Sequence, residues 1–256
     1  FNPLIAHVLD LAAAEAEAVL DKRARALAAA FWPGPLTLVA PARPGGRVCD
    51  LSRAGLDTLA VRAPAHPLAK AVLEAFGRPL AAPSANRSGR PSPTTLADAL
   101  AETGSAAGAS LDGGPCAVGL ESTVVSLLEG PPRLLRPGAV TRSEIEAVIG
   151  PLAEAEDDAR RSPGRLARHY APAAPLRLDA TEPRPGEAFI GFGAIGPEAL
   201  NLSPPADLAE AAAHLFAYLR AADAQEPVAI AVAPIPNEGL GEAINDRLRR
   251  AAGQVG

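Results

Sequence analysis

The chain has 256 residues, enough for one large domain or two ordinary ones. Its net charge of −5 argues against a wholly basic nucleic-acid binder and leaves room only for a local basic patch. Hydrophobic residues make up 48% but aromatics only 4%, so the core has to be built from Ala, Leu and Val. No apolar run approaches the roughly 20 residues that a membrane span needs, which predicts a soluble protein.

Cys49 and Cys116 are too few for a disulfide framework, and no CxxC or His/Cys cluster suggests a structural metal. A reducing cytoplasm is the expected compartment. The chain opens Phe1-Asn2-Pro3 with no initiator and contains no methionine. It has no charged stretch followed by an apolar one, so no signal peptide is read, and a segment upstream of Phe1 is expected.

Residues 11–30 are Ala- and Leu-rich with scattered charges, which predicts a helix. Trp32-Pro33-Gly34-Pro35 stops it, and residues 36–40 read as a strand. Strand 58–62, closed by Ala63-Pro64, helix 68–76 and strand 79–82 follow, then the loop from Pro83 and a helix over 96–102. Strands are predicted at 122–128 and around Leu134-Leu135, and Thr141 with Glu144 forms a capping box opening a helix through Ile149. The alternation of strands and helices gives an α/β class. Residues 151–172 are charged, then carry Ser162-Pro163-Gly164 and His169-Tyr170-Ala171-Pro172, and read as an ordered linker packed on the first domain. Beyond it, apolar runs at 189–192 and 228–234 and helices at 207–220 and 240–252 make a second, smaller α/β unit.

Gly191-Phe192-Gly193-Ala194-Ile195-Gly196 is a literal G-x-G-x-x-G after a strand. A dinucleotide site requires a helix to begin inside that motif, and Pro197 and Pro204-Pro205 oppose one, so the segment reads as a turn. The loop Ser84 to Thr94 crowds hydroxyl and amide side chains around two prolines and a glycine. Such a loop either presents donors to an anion or is an ordinary surface turn. Arg62 ends an apolar strand, where an α/β sheet binds ligands and a guanidinium can grip a carboxylate or phosphate; a solvated strand end is the plain alternative. Arg136 carries the same two readings, and Glu121-Ser122-Thr123 is either a strand-start turn or a hydroxyl pair facing a ligand. His66 and His214 read as structural, whereas His7 and His169 lie in irregular segments and stay open.

These pieces occur in an order that resembles a known family. Phe1-Asn2-Pro3-Leu4-Ile5-Ala6-His7, Phe31-Trp32-Pro33-Gly34-Pro35-Leu36-Thr37, Thr58-Leu59-Ala60-Val61-Arg62, residues 82–94, Gly119-Leu120-Glu121-Ser122-Thr123 and Leu135-Arg136-Pro137-Gly138 resemble the YrdC-like domain. Ser162-Pro163-Gly164, His169-Tyr170-Ala171-Pro172 and Gly239-Leu240-Gly241-Glu242-Ala243-Ile244-Asn245-Asp246-Arg247 resemble the linker and C-terminal domain of long-form L-threonylcarbamoyl-adenylate synthases.

The resemblance implies a YrdC-like twisted mixed-sheet domain over 1–150, a linker over 151–172 and a Rossmann-like domain over 173–256. It implies a cytoplasmic nucleotidyltransferase that converts L-threonine, bicarbonate and ATP with Mg2+ to threonylcarbamoyl-AMP and pyrophosphate. A separate transferase complex then modifies an adenosine in tRNA, and direct contact with tRNA or double-stranded RNA is a further expected partnership. His7, Arg62, Ser84 and Ser122 would bind threonine, with Thr123 a competitor for the place of Ser122. Asn2, Thr58, Asn86, Thr94, Arg136 and Tyr170 would bind ATP. These residues are expected to meet in one cleft, with catalysis by positioning rather than by a protein nucleophile. The family's Lys-x-Arg element before Asn-Pro-Leu does not occur in this sequence. Two other readings of the same fold are a non-catalytic RNA-binding module and a carbamoyl-transfer domain of the hydrogenase-maturation type.

Overall fold

A computed structural model of the chain describes residues 3–154, 169–194 and 200–254. In chain order these form β1 (Ile5–His7), α1 (Leu11–Glu15), α2 (Lys22–Phe31), β2 (Leu36–Pro41), β3 (Thr58–Arg62), α3 (Pro67–Phe76) and β4 (Leu80–Ala82). Then come α4 (Leu96–Thr103), a 3-10 turn (Gly104–Ala106), β5 (Thr123–Ser126), β6 (Arg133–Arg136), α5 (Arg142–Ile149) and β7 (Ala153–Glu154). The remainder is β8 (Leu176–Arg177), β9 (Glu187–Gly191), β10 (Leu200–Asn201), α6 (Leu208–Asp223), β11 (Ala229–Val232) and α7 (Leu240–Ala251). The chain divides into two compact units, Phe1–Pro83 with Glu121–Arg165, and Ser84–Leu120 with Leu166–Gly256. Residues 84–120, read from the sequence as part of the first domain, thus lie in the second unit. No helix among the described residues is long and apolar enough to cross a membrane.

The first unit is built on a seven-stranded mixed sheet in the order β4-β1-β3-β2-β5-β6-β7. Side chains alternate between the faces of a strand. Ala6, Leu36, Leu38, Leu59, Val61 and Val125 therefore share one face, where they pack with Ala14, Ala24, Leu27, Ala28 and Ile145 of α1, α2 and α5. Ile5, Val39, Ala60, Val124 and Leu135 make a smaller apolar floor on the other face. The same alternation places His7, Thr37, Thr58 and Arg62 on the floor's side, two residues at a time from Ile5, Val39 and Ala60.

The helix expected over 11–30 is two helices. Ala16 caps α1, and Glu17 turns inward to accept hydrogen bonds from the Arg47 and Val48 amides at 2.6 and 3.1 Å, while Asp21 caps α2 through the Ala24 amide. A buried carboxylate with long-range partners breaks a run that local propensity would carry on. The capping box of Thr141 and Glu144 forms as expected at the start of α5.

The second unit holds a parallel sheet in the order β10-β9-β11-β8. Helices α6 and α7 close its core with Leu215, Phe216, Leu219, Ile244 and Leu248. Gly191 ends β9, and from Leu200 the chain forms a strand rather than the helix a dinucleotide fingerprint requires; residues 195–199 of that segment lie outside the described ones. Tyr170 is 1% exposed, 5.6 Å from the Phe216 ring and 5.1 Å below the guanidinium of the buried Arg247. The linker reading expected Tyr170 to pack on the first domain. The correction is that its ring fills the second unit's core, because Phe216 and Arg247 supply an apolar and cationic seat there.

Candidate active site

His7 and Arg62 are register partners at the ends of the parallel strands β1 and β3, so His7 belongs to a strand and not to an irregular segment. The turn at residues 32–35 comes back against this edge. Gly34 donates its amide to Ala63 O at 2.8 Å and accepts from Arg62 Nε at 3.0 Å. A Cβ at Gly34 would lie 2.2 Å from Phe31 O, so only glycine fits the turn that holds the guanidinium. Among the described residues, the hydrogen-bond partner of Arg62 is thus a backbone carbonyl, and its titratable neighbours are His7 and Arg136, not a carboxylate.

β5 and β6 bring the second half of the cluster. Ser122, 2% exposed, lies just before β5, 2.7 Å through its hydroxyl from Thr37 Oγ1. Arg136 donates to Ser122 O from Nε at 3.1 Å and Nη2 at 2.8 Å, and to Ser122 Oγ at 3.1 Å. The Thr123 hydroxyl bonds both the amide and the carbonyl of Val140, at 2.9 and 2.5 Å. That pair pins the turn after Pro137-Gly138. Burial and the neighbouring Arg136 charge bring Arg62 down to about 10. Burial, with Arg62 beside it, pushes His7 down to about 4, so its ring is neutral near pH 7. Its Nδ1 is buried without a hydrogen-bond partner. Two guanidiniums beside a neutral imidazole form a site that favours an anion.

In the second unit the loop following Pro83 is folded on itself. Asn86 Nδ2 donates to Arg87 O at 2.9 Å and Arg90 O at 3.1 Å, and Asn86 Oδ1 is buried without a partner. Ser92 and Thr94 are buried, with Thr94 O held by the Cys116 amide at 2.8 Å, while Ser84 is exposed.

The family model described as "Telomere recombination" matches residues 1–138, and the threonylcarbamoyl-AMP synthase C-terminal domain matches residues 140–253. The threonylcarbamoyl-AMP synthase of Bacillus subtilis is 37% identical over 98% of this chain and 80% of its own length. The threonylcarbamoyl-AMP synthase of Pyrococcus abyssi is 38% identical with the same coverage. The crystal structure of P. abyssi Sua5 complexed with L-threonine superposes with a TM-score of 0.89 at 36% identity, covering 99% of this chain and 81% of that one. The chain belongs to the threonylcarbamoyl-AMP synthase family.

For a chain of this family, the structure brings four of the expected residues, His7, Arg62, Ser122 and Arg136, to one edge of the first unit's sheet. Thr58 lies four residues before Arg62 on the same face of β3, nearly buried. Ser84, Asn86, Thr94 and Tyr170 belong to the second unit, and Asn2 lies outside the described residues. Sequence reasoning did not single out Thr37 or the carbonyl of Gly34. A signal for Thr37 was present: it is the one polar position within Leu36-Thr37-Leu38-Val39. Among the described residues no group of three or more His, Cys, Asp or Glu could hold a metal ion.

The depressed His7 has a consequence for stability. Its folded value lies below the ordinary 6.5, so between pH 6.5 and about 4 the unfolded chain takes up a proton that the folded chain refuses. The contribution is complete above pH 6.5 and is lost on acidification, up to roughly 3 kcal/mol. His7→Asn should flatten that part of the stability profile in urea titrations. Equal pH slopes in the two proteins would contradict the buried neutral imidazole.

Proposed function

We infer that this chain condenses L-threonine, bicarbonate and ATP to threonylcarbamoyl-AMP and pyrophosphate. Similarity along nearly its whole length to threonylcarbamoyl-AMP synthases supports the reaction. The observation in the chain itself is the guanidinium of Arg62, half-buried near Arg136 with a carbonyl rather than a carboxylate as its hydrogen-bond partner. A bound carboxylate would relieve that like-charge pairing. Arg62 takes the threonine carboxylate, with Ser122 and the neutral His7 offering hydrogen bonds to the rest of the amino acid. Asn86, Thr94, Thr58 and Arg136 serve the nucleotide, the unpartnered Asn86 Oδ1 accepting from it. Ser84 is assigned to threonine and Asn2 to the nucleotide in this reading, whereas Tyr170, 1% exposed in the second unit's core, is not.

Threonine and bicarbonate give a carbamate and water. The carbamate oxygen then attacks the α-phosphorus, the new P–O bond replacing the bond to pyrophosphate. Such a displacement needs alignment and charge neutralisation more than a protein nucleophile. The donor set around Arg62 is hydroxyl, imidazole and guanidinium, which fits Mg2+ carried on the triphosphate oxygens and water rather than in a protein cage. The product is the activated group that a separate transferase places on a tRNA adenosine, in a cytoplasmic setting. A bare RNA-binding module or a hydrogenase-maturation domain leaves the match over 140–253 without an explanation. Pyrophosphate release tests the reading. It should require ATP, bicarbonate and threonine together and should stop when EDTA removes Mg2+. Release at the same rate without threonine would exclude this reaction.

A further inference from the structure

The loop from Ser84 to Thr94 carries two arginines, Arg87 and Arg90, on either side of Ser88-Gly89. In a loop assigned to a nucleotide they would be the obvious phosphate ligands. Their side chains are engaged elsewhere. Glu102, near the end of α4, has a side chain only 3% exposed and accepts through Oε2 from the Arg87 amide at 3.2 Å and from Arg87 Nε at 3.0 Å. Its other oxygen accepts from Arg220 Nη1 of α6 at 3.0 Å and lies 3.8 Å from Arg90 Nε. The second arm of Arg220 donates to Pro91 O, inside the loop. Asp223, one turn further along α6, accepts from Arg90 Nη2 at 3.3 Å and from the Ala173 and Ala174 amides at 3.0 and 2.9 Å. The Ala171 amide closes the ring on Gly89 O at 2.7 Å, and Thr103 Oγ1 reaches Ala85 O at 3.3 Å.

We propose that Glu102 is the positioning residue of this loop, and that Arg87 and Arg90 serve it and Asp223 instead of a phosphate. Burial works against the ionised form of Glu102, but hydrogen bonds from Arg87 and Arg220 outweigh it and hold the carboxyl down to about 2. It is a carboxylate at any working pH. A network of this kind moves as a whole, because withdrawing one partner leaves another charge buried without compensation. The backbone is held at residues 85, 87, 89 and 91, on both sides of Asn86 and up to Ser92. Asn86 thus meets its ligand already oriented, and the cost of ordering the loop is not taken from binding. Within the second unit, α6 supplies two of the loop's anchors, Arg220 and Asp223.

The proposal rests on the assignment of the loop to ATP, and its test keeps the two apart. ATP affinity is measured by calorimetry, and KM and kcat are measured beside it, for the full chain and for Glu102→Gln. The variant keeps the shape of the side chain and removes its charge. Loss of charge-assisted hydrogen bonds predicts a Kd and KM for ATP raised about tenfold, with kcat at saturating ATP within about twofold of the parent. A merely structural role would shrink the active fraction, lowering kcat at unchanged KM, and that result would overturn the proposal, as would an unchanged Kd. If Glu102→Gln does not accumulate as folded protein, Arg220→Lys reads the same quantities, since it keeps the charge and loses the two-armed bridge from Glu102 to Pro91. A parent chain that binds ATP and forms no threonylcarbamoyl-AMP would sink the functional reading, while the loop proposal would still be decided by the affinities.

Discussion

Arg62→Lys is expected to weaken threonine binding by about 10- to 100-fold while leaving ATP nearly unaffected. Arg62 is fixed through Nε to Gly34 O, which leaves its terminal nitrogens to face a ligand in one plane. Lysine keeps the positive charge but presents one ammonium on a flexible stem, and it cannot both hold Gly34 O and meet two carboxylate oxygens. Loss of a charge-assisted hydrogen bond of roughly 1.5–3 kcal/mol gives the stated range. The selectivity carries the test, because unfolding would depress both ligands together. Calorimetry of each ligand in the folded variant measures it, and equal losses for ATP and threonine would remove Arg62 from its assigned role.

Gly138→Ala should be the more damaging change, and an unselective one. A Cβ at this position would lie 2.5 Å from both Glu121 O and Thr123 N, atoms of the backbone that cannot swing aside as a side-chain tip would. The chain therefore has to part at the start of β5, where Ser122 receives Arg136 and where Thr123 pins Val140. Overpacking of this kind costs about 3 kcal/mol, which lowers the melting midpoint by roughly 10 °C in a domain of this size. Both the stability and the affinity for threonine should fall, since Ser122 and Arg136 move together. A variant that melts with the parent and binds threonine normally would show that the approach of Gly138 to β5 has no part in shaping the site.

The sequence made the strand ending in Arg62 legible because Leu59 and Val61 alternate with smaller or polar neighbours and Pro64 marks the stop. The capping box at Thr141 was equally readable, being a local hydrogen-bond pattern with a fixed spacing. Strands β1, β8 and β10 were not, since two or three residues are too few to show a period. The break between α1 and α2 depends on Glu17 meeting Arg47 and Val48, thirty residues away, and no local pattern carries that information. The same holds for Tyr170, which looked like part of a linker until its seat against Phe216 and Arg247 was seen. Of the cluster at the sheet edge, Arg62, Ser122 and Arg136 were named from an ordered set of short motifs. Glu102 was not, because a carboxylate in an unremarkable helix gives no sign that the two arginines of the loop before it turn to it.

Incubation of the full chain with labelled bicarbonate, ATP and each amino acid in turn tests the central claim most directly. Label should enter a nucleotide-linked product with threonine and with no other amino acid, and Arg62→Lys should lower that incorporation at limiting threonine. Incorporation that is indifferent to the amino acid, or absent with threonine in a folded protein that binds ATP, would contradict the account.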